Sequence, residues 1–329
     1  MGCPVGIGPE IILKFATSYQ GPLVPVVLGD AQVLQRTAQL LGLVVGVIPW
    51  QPGIQHRPGT ILIHQPLYPS DMVFNASDLV WGQPNSGSGQ IMAACIEEAV
   101  RLVRDGYFSA MVTCPITKAA LNDAGYLYPG HTEMLADLCH AKEYAMMMAG
   151  RTLRVTLVTI HQGLASVVAN LKTEAILRLI KLTGESLRID FGLSLPRMAV
   201  AGLNPHAGEG GLFGDEEERI ITPAINAARA EGWQVAGPFP PDTVFHKAVS
   251  GEYDAVICMY HDQGLIPFKL LHFEDGVNVT IGLPIVRTSV DHGTAYDIAG
   301  QGKANPASLC AAFDLAAEIA GNRQCQREA

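Results

Sequence analysis

Charge is scarce in this sequence. Of 329 residues only 16% are Asp, Glu, Lys or Arg, against 48% hydrophobic, and the formal net charge of −9 comes with no basic cluster. Nucleic acid and anionic membrane surfaces are held through clustered Lys and Arg, so neither is expected as a partner. Long apolar runs are missing too. Mean hydropathy is +0.21, yet nothing reaches the roughly 18 consecutive apolar residues of a membrane span. The richest stretches, such as residues 40–48, are short and broken by glycine. No CxxC pair occurs among Cys3, Cys95, Cys114, Cys139, Cys258, Cys310 and Cys325. Scattered and odd in number, they read as reduced thiols packed as small apolar groups. A basic segment leading into an apolar signal region is absent from the N-terminus, and there is no internal repeat or low-complexity tract. These absences leave a cytoplasmic protein with a large buried core as the expectation. An anionic small molecule stays open as a ligand, because a few local cations suffice to bind it.

What is present is alternation. Strand-like apolar runs at residues 24–28, 60–64, 110–113, 154–160, 198–203 and 255–259 are interleaved with helical periods at 31–41, 88–104, 174–187 and from Pro306 to about residue 319. In the 88–104 segment the apolar positions share one helical face, and Glu97 is placed to pair with Arg101. Asp215 and Glu218 have capping-box spacing ahead of Ile220, and Pro223 breaks or restarts that helix with Thr222 as a new cap. Such alternation predicts α/β architecture with helices on both sheet faces. The opening is unusual: Gly2 leads straight into a glycine-rich turn that an α/β domain would feed from a strand, a pattern expected of a truncated N-terminus or a misplaced start site.

Three candidate sites share one form, a histidine just past an apolar strand: His161, His206 and His261. Ligands gather at the carboxyl ends of strands in open α/β sheets, and three imidazoles there suit a divalent metal with open positions for substrate. Each histidine taken alone also reads as a structural residue; the repeated context is what favours ligation. A second cluster, Thr113-Cys-Pro-Ile-Thr-Lys118 and Gly130-His131-Thr132-Glu133, could hold carboxylate or phosphate oxygens, with Thr132 equally readable as a helix cap. Lys269, Asn278 and Arg287 rise at nine-residue intervals from apolar sequence. They read either as anion contacts or, for the two cations, as surface residues snorkelling from strands, a reading that suits Lys269 better than Arg287. Residues 291–306 form a glycine-studded loop able to approach a nucleotide through its backbone. Gly6-Ile-Gly8-Pro-Glu10 is rejected as a dinucleotide fingerprint, for want of a third glycine and a preceding strand and because Pro9 falls where the helix would begin.

Taken together, Gly6-Ile-Gly-Pro-Glu10, Gly130-His-Thr-Glu133, Gly202-Leu-Asn-Pro-His-Ala-Gly-Glu209, Asp242-Thr243, Tyr260-His-Asp-Gln-Gly264 and Arg287-Thr-Ser-Val-Asp-His-Gly-Thr-Ala295 run in order along nearly the whole chain. In these motifs the sequence resembles the 4-hydroxythreonine-4-phosphate dehydrogenase family of pyridoxal phosphate synthesis. The resemblance implies an isocitrate/isopropylmalate dehydrogenase-like fold of two α/β lobes with a central cleft, residues 1–125 with 290–329 and residues 126–289. It implies a substrate that is a small phosphorylated hydroxy acid, NAD as cofactor with NADP as the alternative, and one divalent metal ion (zinc, magnesium or cobalt). The implied metal ligands are His161, His206 and His261, drawn from both subunits of a homodimer. Substrate contacts would be His131, Thr132, Lys269, Asn278 and Arg287; catalytic groups Asp242, Asp262 and Lys269; and cofactor contacts Asp291, Gly293, Thr294, Asp297, Gly300 and Asn305. Within the same superfamily, D-threonate or D-erythronate 4-phosphate and aromatic cis-diols remain alternative substrates. Rivals outside this activity are a non-catalytic metal- or nucleotide-binding protein and a metallohydrolase. The sequence departs from the family at its start, where the first strand is missing and Cys3 stands at the usual acidic position.

Overall fold

The computed structural model describes residues 1–68 and 75–328. In chain order the elements are α1 (Gly8–Ser18), β1 (Val26–Leu28), α2 (Ala31–Leu41), β2 (Gly46–Pro49), β3 (Thr60–His64), α3 (Ser86–Arg104), β4 (Met111–Thr113), α4 (Lys118–Asp123), α5 (His131–Leu138), β5 (Ala145–Ala149) and β6 (Arg154–Leu157). They continue with α6 (Leu164–Asn170), α7 (Thr173–Ile189), β7 (Met198–Ala201), α8 (Thr222–Ala230), β8 (Val235–Phe239), α9 (Val244–Val249), β9 (Ala255–Cys258), α10 (His261–Leu271), β10 (Val277–Ile281), β11 (Arg287–Val290) and α11 (Ala307–Glu328). The α/β class expected from the alternation is what the chain forms. Among the described residues no helix is long and apolar enough to cross a membrane.

Two compact units divide the chain, Met1–Ala141 with Pro284–Ala316 and Lys142–Leu283 with Ala317–Ala329. In the first, β1, β3 and β2 pair in parallel, and β4 pairs in parallel with β11. Helix α2 shows why its boundaries were legible: Asp30 accepts from the Gln32 and Val33 backbone N–H groups at its start, and Gly42 closes it in the left-handed region at φ 64°. An Asn85–Ser88 capping box opens α3.

The second unit holds strands in the order β10-β5-β6-β9-β7-β8. β5 runs antiparallel to both of its neighbours, β10 and β6, whereas β6, β9, β7 and β8 run parallel. Every residue of β7 and β9 is buried. Runs without polar alternation, Met-Ala-Val-Ala and Ala-Val-Ile-Cys, suit strands covered on both faces. Val155, Leu157, Ala199, Val256, Cys258, Leu265 and Phe268 belong to one core cluster, and the fully buried Phe268 brings α10 into it. The carboxyl ends of β6, β9 and β7 therefore lie side by side along one edge.

Several local expectations are corrected. Arg101 pairs with Glu98 at 2.8 Å and Asp105 at 2.9 Å rather than with Glu97, because the Glu98 carboxylate also meets His64 at 2.8 Å and draws the guanidinium toward the i−3 position. Asp215 and Glu218 form no capping box: Glu217–Ile221 is a π-helical turn with no side-chain cap, and Asp215 pairs with Arg219 at 3.3 Å. Pro223 does restart the helix, but Thr222 is its first residue and not its cap. Thr132 likewise lies inside α5, whose cap position is Gly130. Helix α1 begins at Gly8 with Pro9 in its first turn, a place where the missing N–H of proline costs nothing. The cysteines are all free thiols.

The last helix runs on to Glu328, and a buried ion pair fixes its end. Arg323 Nε donates to Asp190 Oδ1 at 2.6 Å, while Ser186 Oγ donates to Asp190 Oδ2 at 2.7 Å. Asp190→Ala leaves Arg323 with an unmatched charge at a site that is mostly buried, which costs about 3 kcal/mol. Urea denaturation should show the lowered midpoint, and an unchanged midpoint would mean the pair contributes nothing.

Candidate functional site

Parallel strands β6, β9 and β7 each deliver a histidine just past their carboxyl ends. The His161 and His261 rings lie side by side, 6.1 Å apart between centroids and inclined by 37°. Both border a pocket of about 470 Å³ with Ile160, Gln162, Leu164, Val167, Tyr260 and Asp262. His261 is the first residue of α10. Its Nδ1 lies 2.7 Å from Asp262 Oδ1, an arrangement that keeps the ring proton on Nδ1 and leaves the Nε2 lone pair for a ligand. The donor chemistry fits a divalent cation. Among the described residues, however, no three His, Cys, Asp or Glu side chains converge closely enough to hold a metal.

His206 is exposed and carried on a different kind of support. Residues His206, Ala207 and Glu209 all adopt left-handed backbone, with φ of 53°, 52° and 44°, a conformation that costs non-glycine residues roughly 1–2 kcal/mol each. A buried carboxylate stabilises the turn. Glu217 Oε1 accepts from the Leu203 and Asn204 backbone N–H groups, each at 2.7 Å, and Oε2 accepts from Asn204 Nδ2 at 3.0 Å. A Cβ on Gly202 would meet Ala207 Cα at 2.9 Å and Glu217 Oε1 at 3.1 Å, so the close approach requires glycine there. Gln263 ties the neighbouring strand ends together, accepting from Met259 N–H and donating to the Gly202 carbonyl, both at 2.6 Å. Sequence reading missed Glu217 and Gln263. The signal for Gln263 was its place inside the Tyr-His-Asp-Gln-Gly motif; Glu217 offered none beyond an acidic run.

The other assigned residues of this unit are dispersed. Asp242 is exposed ahead of α9, and Asp262 is committed to His261. Lys269 lies in the last turn of α10, not on a strand as the snorkelling reading supposed. Asn278 sits on β10, and its buried Oδ1 has no hydrogen-bond partner among the described residues.

In the first unit Arg287 opens β11 and is 3% exposed, so it is not a surface residue snorkelling outward. Its Nε and Nη2 donate to Thr113 Oγ1 at 3.1 and 2.7 Å. Burial draws the guanidinium down to about 10, against a smaller upward pull from Glu133. His131, the first residue of α5, is driven well below its usual 6.5, first by burial and then by the charge of Arg287. A guanidinium still charged at neutral pH and a neutral imidazole under its influence have the chemistry to bind an oxyanion.

The loop between β11 and α11 carries the remaining assigned residues. Gly293, Asp297 and Asn305 are exposed, Asp291, Thr294 and Gly300 half-buried. Gly300 takes φ 74°, and a side chain at Gly293 would meet nothing within 4 Å. An open, backbone-lined loop with an exposed carboxylate has the donor chemistry for ribose hydroxyls and an adenine edge. Tyr296 donates to Cys3 Sγ at 3.4 Å, and burial raises the Cys3 thiol, so the residue at the otherwise acidic position is a neutral thiol.

Known proteins resemble the chain over nearly its whole length. The family described as Pyridoxal phosphate biosynthetic protein PdxA matches residues 22–316. A relative from Desulfosudis oleivorans, 4-hydroxythreonine-4-phosphate dehydrogenase, is 55% identical over 97% of this chain and 94% of its own length. The D-threonate 4-phosphate dehydrogenase of Salmonella typhimurium is 46% identical over 97% of both chains. The crystal structure of 4-hydroxythreonine-4-phosphate dehydrogenase from Klebsiella pneumoniae superposes with a TM-score of 0.88 at 44% identity, covering 97% of this chain and 96% of that one.

The depression of His131 has a stability consequence of definite sign. Its folded pKa lies below the unfolded value, so the unfolded chain takes up the proton first and stability is lost as pH falls below about 6.5. His131→Gln should flatten that loss, measured as the urea midpoint between about pH 7 and 5. Parallel curves for the two proteins would contradict the assignment.

Proposed function

The chain belongs to the PdxA family, and from that premise we propose that it oxidises and decarboxylates 4-phosphooxy-L-threonine to 3-amino-2-oxopropyl phosphate in pyridoxal 5'-phosphate biosynthesis. The reaction is NAD-dependent and needs a divalent metal, and the enzyme works in the cytoplasm as a homodimer that shares its metal site. The observation that carries this reading is the row of imidazoles at one sheet edge: His161 beside His261, with His206 delivered from the next strand.

When bound, the cation would lower the pKa of the substrate hydroxyl and NAD would accept the hydride. The protein's own part is recognition and proton control. Arg287 offers its planar fork to phosphate or carboxylate, and neutral His131 together with Thr132 supplies hydrogen bonds at the same anion. Asp262 accepts from His261 Nδ1 and so favours the tautomer whose Nε2 lone pair is free for a ligand. Lys269 and Asn278 complete the substrate contacts, the unpartnered Asn278 Oδ1 being a ready acceptor. Asp242 and Lys269 are the groups proposed to move protons, alongside the Asp262–His261 pair. Residues 291–306 take the cofactor, through Asp291, Gly293, Thr294, Asp297, Gly300 and Asn305.

A second reading, oxidation of D-threonate 4-phosphate, has its own support in the 46% identical relative of that name. NADH formation by purified, metal-loaded protein across both substrates separates them. A higher kcat/KM for 4-phosphooxy-L-threonine is expected; a higher value for D-threonate 4-phosphate establishes the second reading, and no NADH with either sinks both.

Sharing of the metal site has a separate test. Three ligands divided between two chains split as two and one, so two of the three pairwise mixtures of His161→Ala, His206→Ala and His261→Ala should regain activity. The ceiling is about a quarter of wild type, since random exchange makes half the dimers mixed and one of their two sites whole. The mixture that stays inactive identifies the two ligands one chain supplies. If no mixture recovers, the site is built within one chain.

A further inference from the structure

The Gly6-Ile-Gly-Pro-Glu10 motif, unexplained as a nucleotide fingerprint, has a different task. Glu10 on α1 is 1% exposed. Its Oε1 accepts from the Ala304 backbone N–H at 2.7 Å, and its Oε2 accepts from the Gly302 N–H at 3.2 Å. One helical turn later, Lys14 lies 3.0 Å from the same carboxylate. It donates to the carbonyls of the same two residues, Gly302 at 2.8 Å and Ala304 at 2.6 Å. The N–H and C=O groups of both residues are thus taken by a single ion pair. The motif grips the loop at its other end as well: Ile7 N–H donates to the Thr294 carbonyl at 3.1 Å. A Cβ on Gly6 would stand 3.1 Å from that oxygen, a tight contact that the loop would have to yield to by a few tenths of an ångström.

Elsewhere the loop is tied by side chains: Tyr296 donates to Cys3 Sγ at 3.4 Å, and Gln301 Nε2 donates to the Asp297 carbonyl at 2.6 Å. Between residues 294 and 304 its internal backbone bonds are Ile298 to Ala295 and Gln301 to Ile298, each 3.1 Å. Gly300 and Gly302 sit at φ 74° and 72°, conformations that glycine leaves readily when unconstrained. Charge-assisted bonds made away from water are the strong ones, and backbone groups stripped of them are left unsatisfied. We infer that Glu10 and Lys14 are positioning residues that pre-order residues 294–304 for the dinucleotide without touching it. This rests on the reading of residues 291–306 as the cofactor loop. With the clamp intact, the ordering cost is met on folding and not on binding.

Calorimetric titration of NAD into the full-length wild type, Glu10→Gln and the loop variant Asp297→Ala tests the inference, together with amide hydrogen exchange at Gly302 and Ala304. Gln retains one acceptor but turns an amide donor toward the Gly302 N–H. Glu10→Gln should raise the NAD Kd about tenfold, as loss of one charge-assisted contact would, and quicken exchange at both amides. KM for the phosphorylated substrate and kcat at saturating NAD should stay within about twofold, as expected of lost cofactor pre-ordering alone. A Kd unchanged in Glu10→Gln but raised in Asp297→Ala overturns the clamp and leaves the cofactor loop standing. A Kd unchanged in both, or no binding to wild type, removes the loop assignment itself and the clamp with it. Should Glu10→Gln fail to fold, Lys14→Met, altered at the 26% exposed end of the pair, is judged by the same criteria.

Discussion

Glu217 is 3% exposed and spends both carboxylate oxygens on the segment that leads to His206. Glu10, 1% exposed, does the same for residues 302 and 304. These are the two irregular segments to which the functional reading assigns a metal ligand and a cofactor contact surface. Neither lies in an α-helix or a sheet ladder that would satisfy its whole backbone, and a buried N–H without a partner costs about 1–3 kcal/mol. A carboxylate buried among such donors resolves both problems at once, since its own desolvation is offset by the bonds it accepts. The left-handed backbone at His206, Ala207 and Glu209 is tolerable because Glu217 fixes the turn from beneath.

The sheet of the second unit supplies the complementary constraint. Parallel pairing of β6 with β9 and of β9 with β7 brings their carboxyl ends together. The buried runs of β7 and β9 leave no alternative face for those strands to show. The segment leaving each strand is then free to vary, and each such segment carries an imidazole. In the first unit the comparable economy is at Arg287, whose buried guanidinium is oriented by Thr113 from the adjacent strand β4. Its charge, with burial, is also what keeps His131 neutral. On the proposed reading, recognition of an anion by a chain with a net charge of −9 rests on local cations such as the buried Arg287 rather than on the overall field.

Much of this was legible without coordinates. The apolar run at residues 255–259, the helical period at 31–41 and the recurrence of histidine after strands are local signals, and the structure has β9, α2 and the three histidines past strand ends where those signals put them. The errors fell where a local rule met a distant partner. Arg101 chose Glu98 over Glu97 because His64, on β3, shares that carboxylate. Spacing gave Asp215 and Glu218 a capping box, but Glu217 between them was needed at residues 203 and 204, and the helix opens instead on a π turn.

Composition and periodicity determined that this chain is an α/β protein, because burying a continuous apolar strand and an amphipathic helix leaves few packed arrangements. Ordered motifs along its length determined its family. Tertiary structure alone decided which charged groups are hidden and what they hold. Glu10 and Glu217 show no period or propensity in sequence that separates them from Lys118 or Asp242, which are exposed, and Arg287 stood out only as a cation rising from apolar sequence. The distinction arises only when residues nearly 300 positions apart, such as Glu10 and Ala304, are brought within hydrogen-bonding distance. A buried charge is defined by the partners that surround it, and those partners are contributed by the fold.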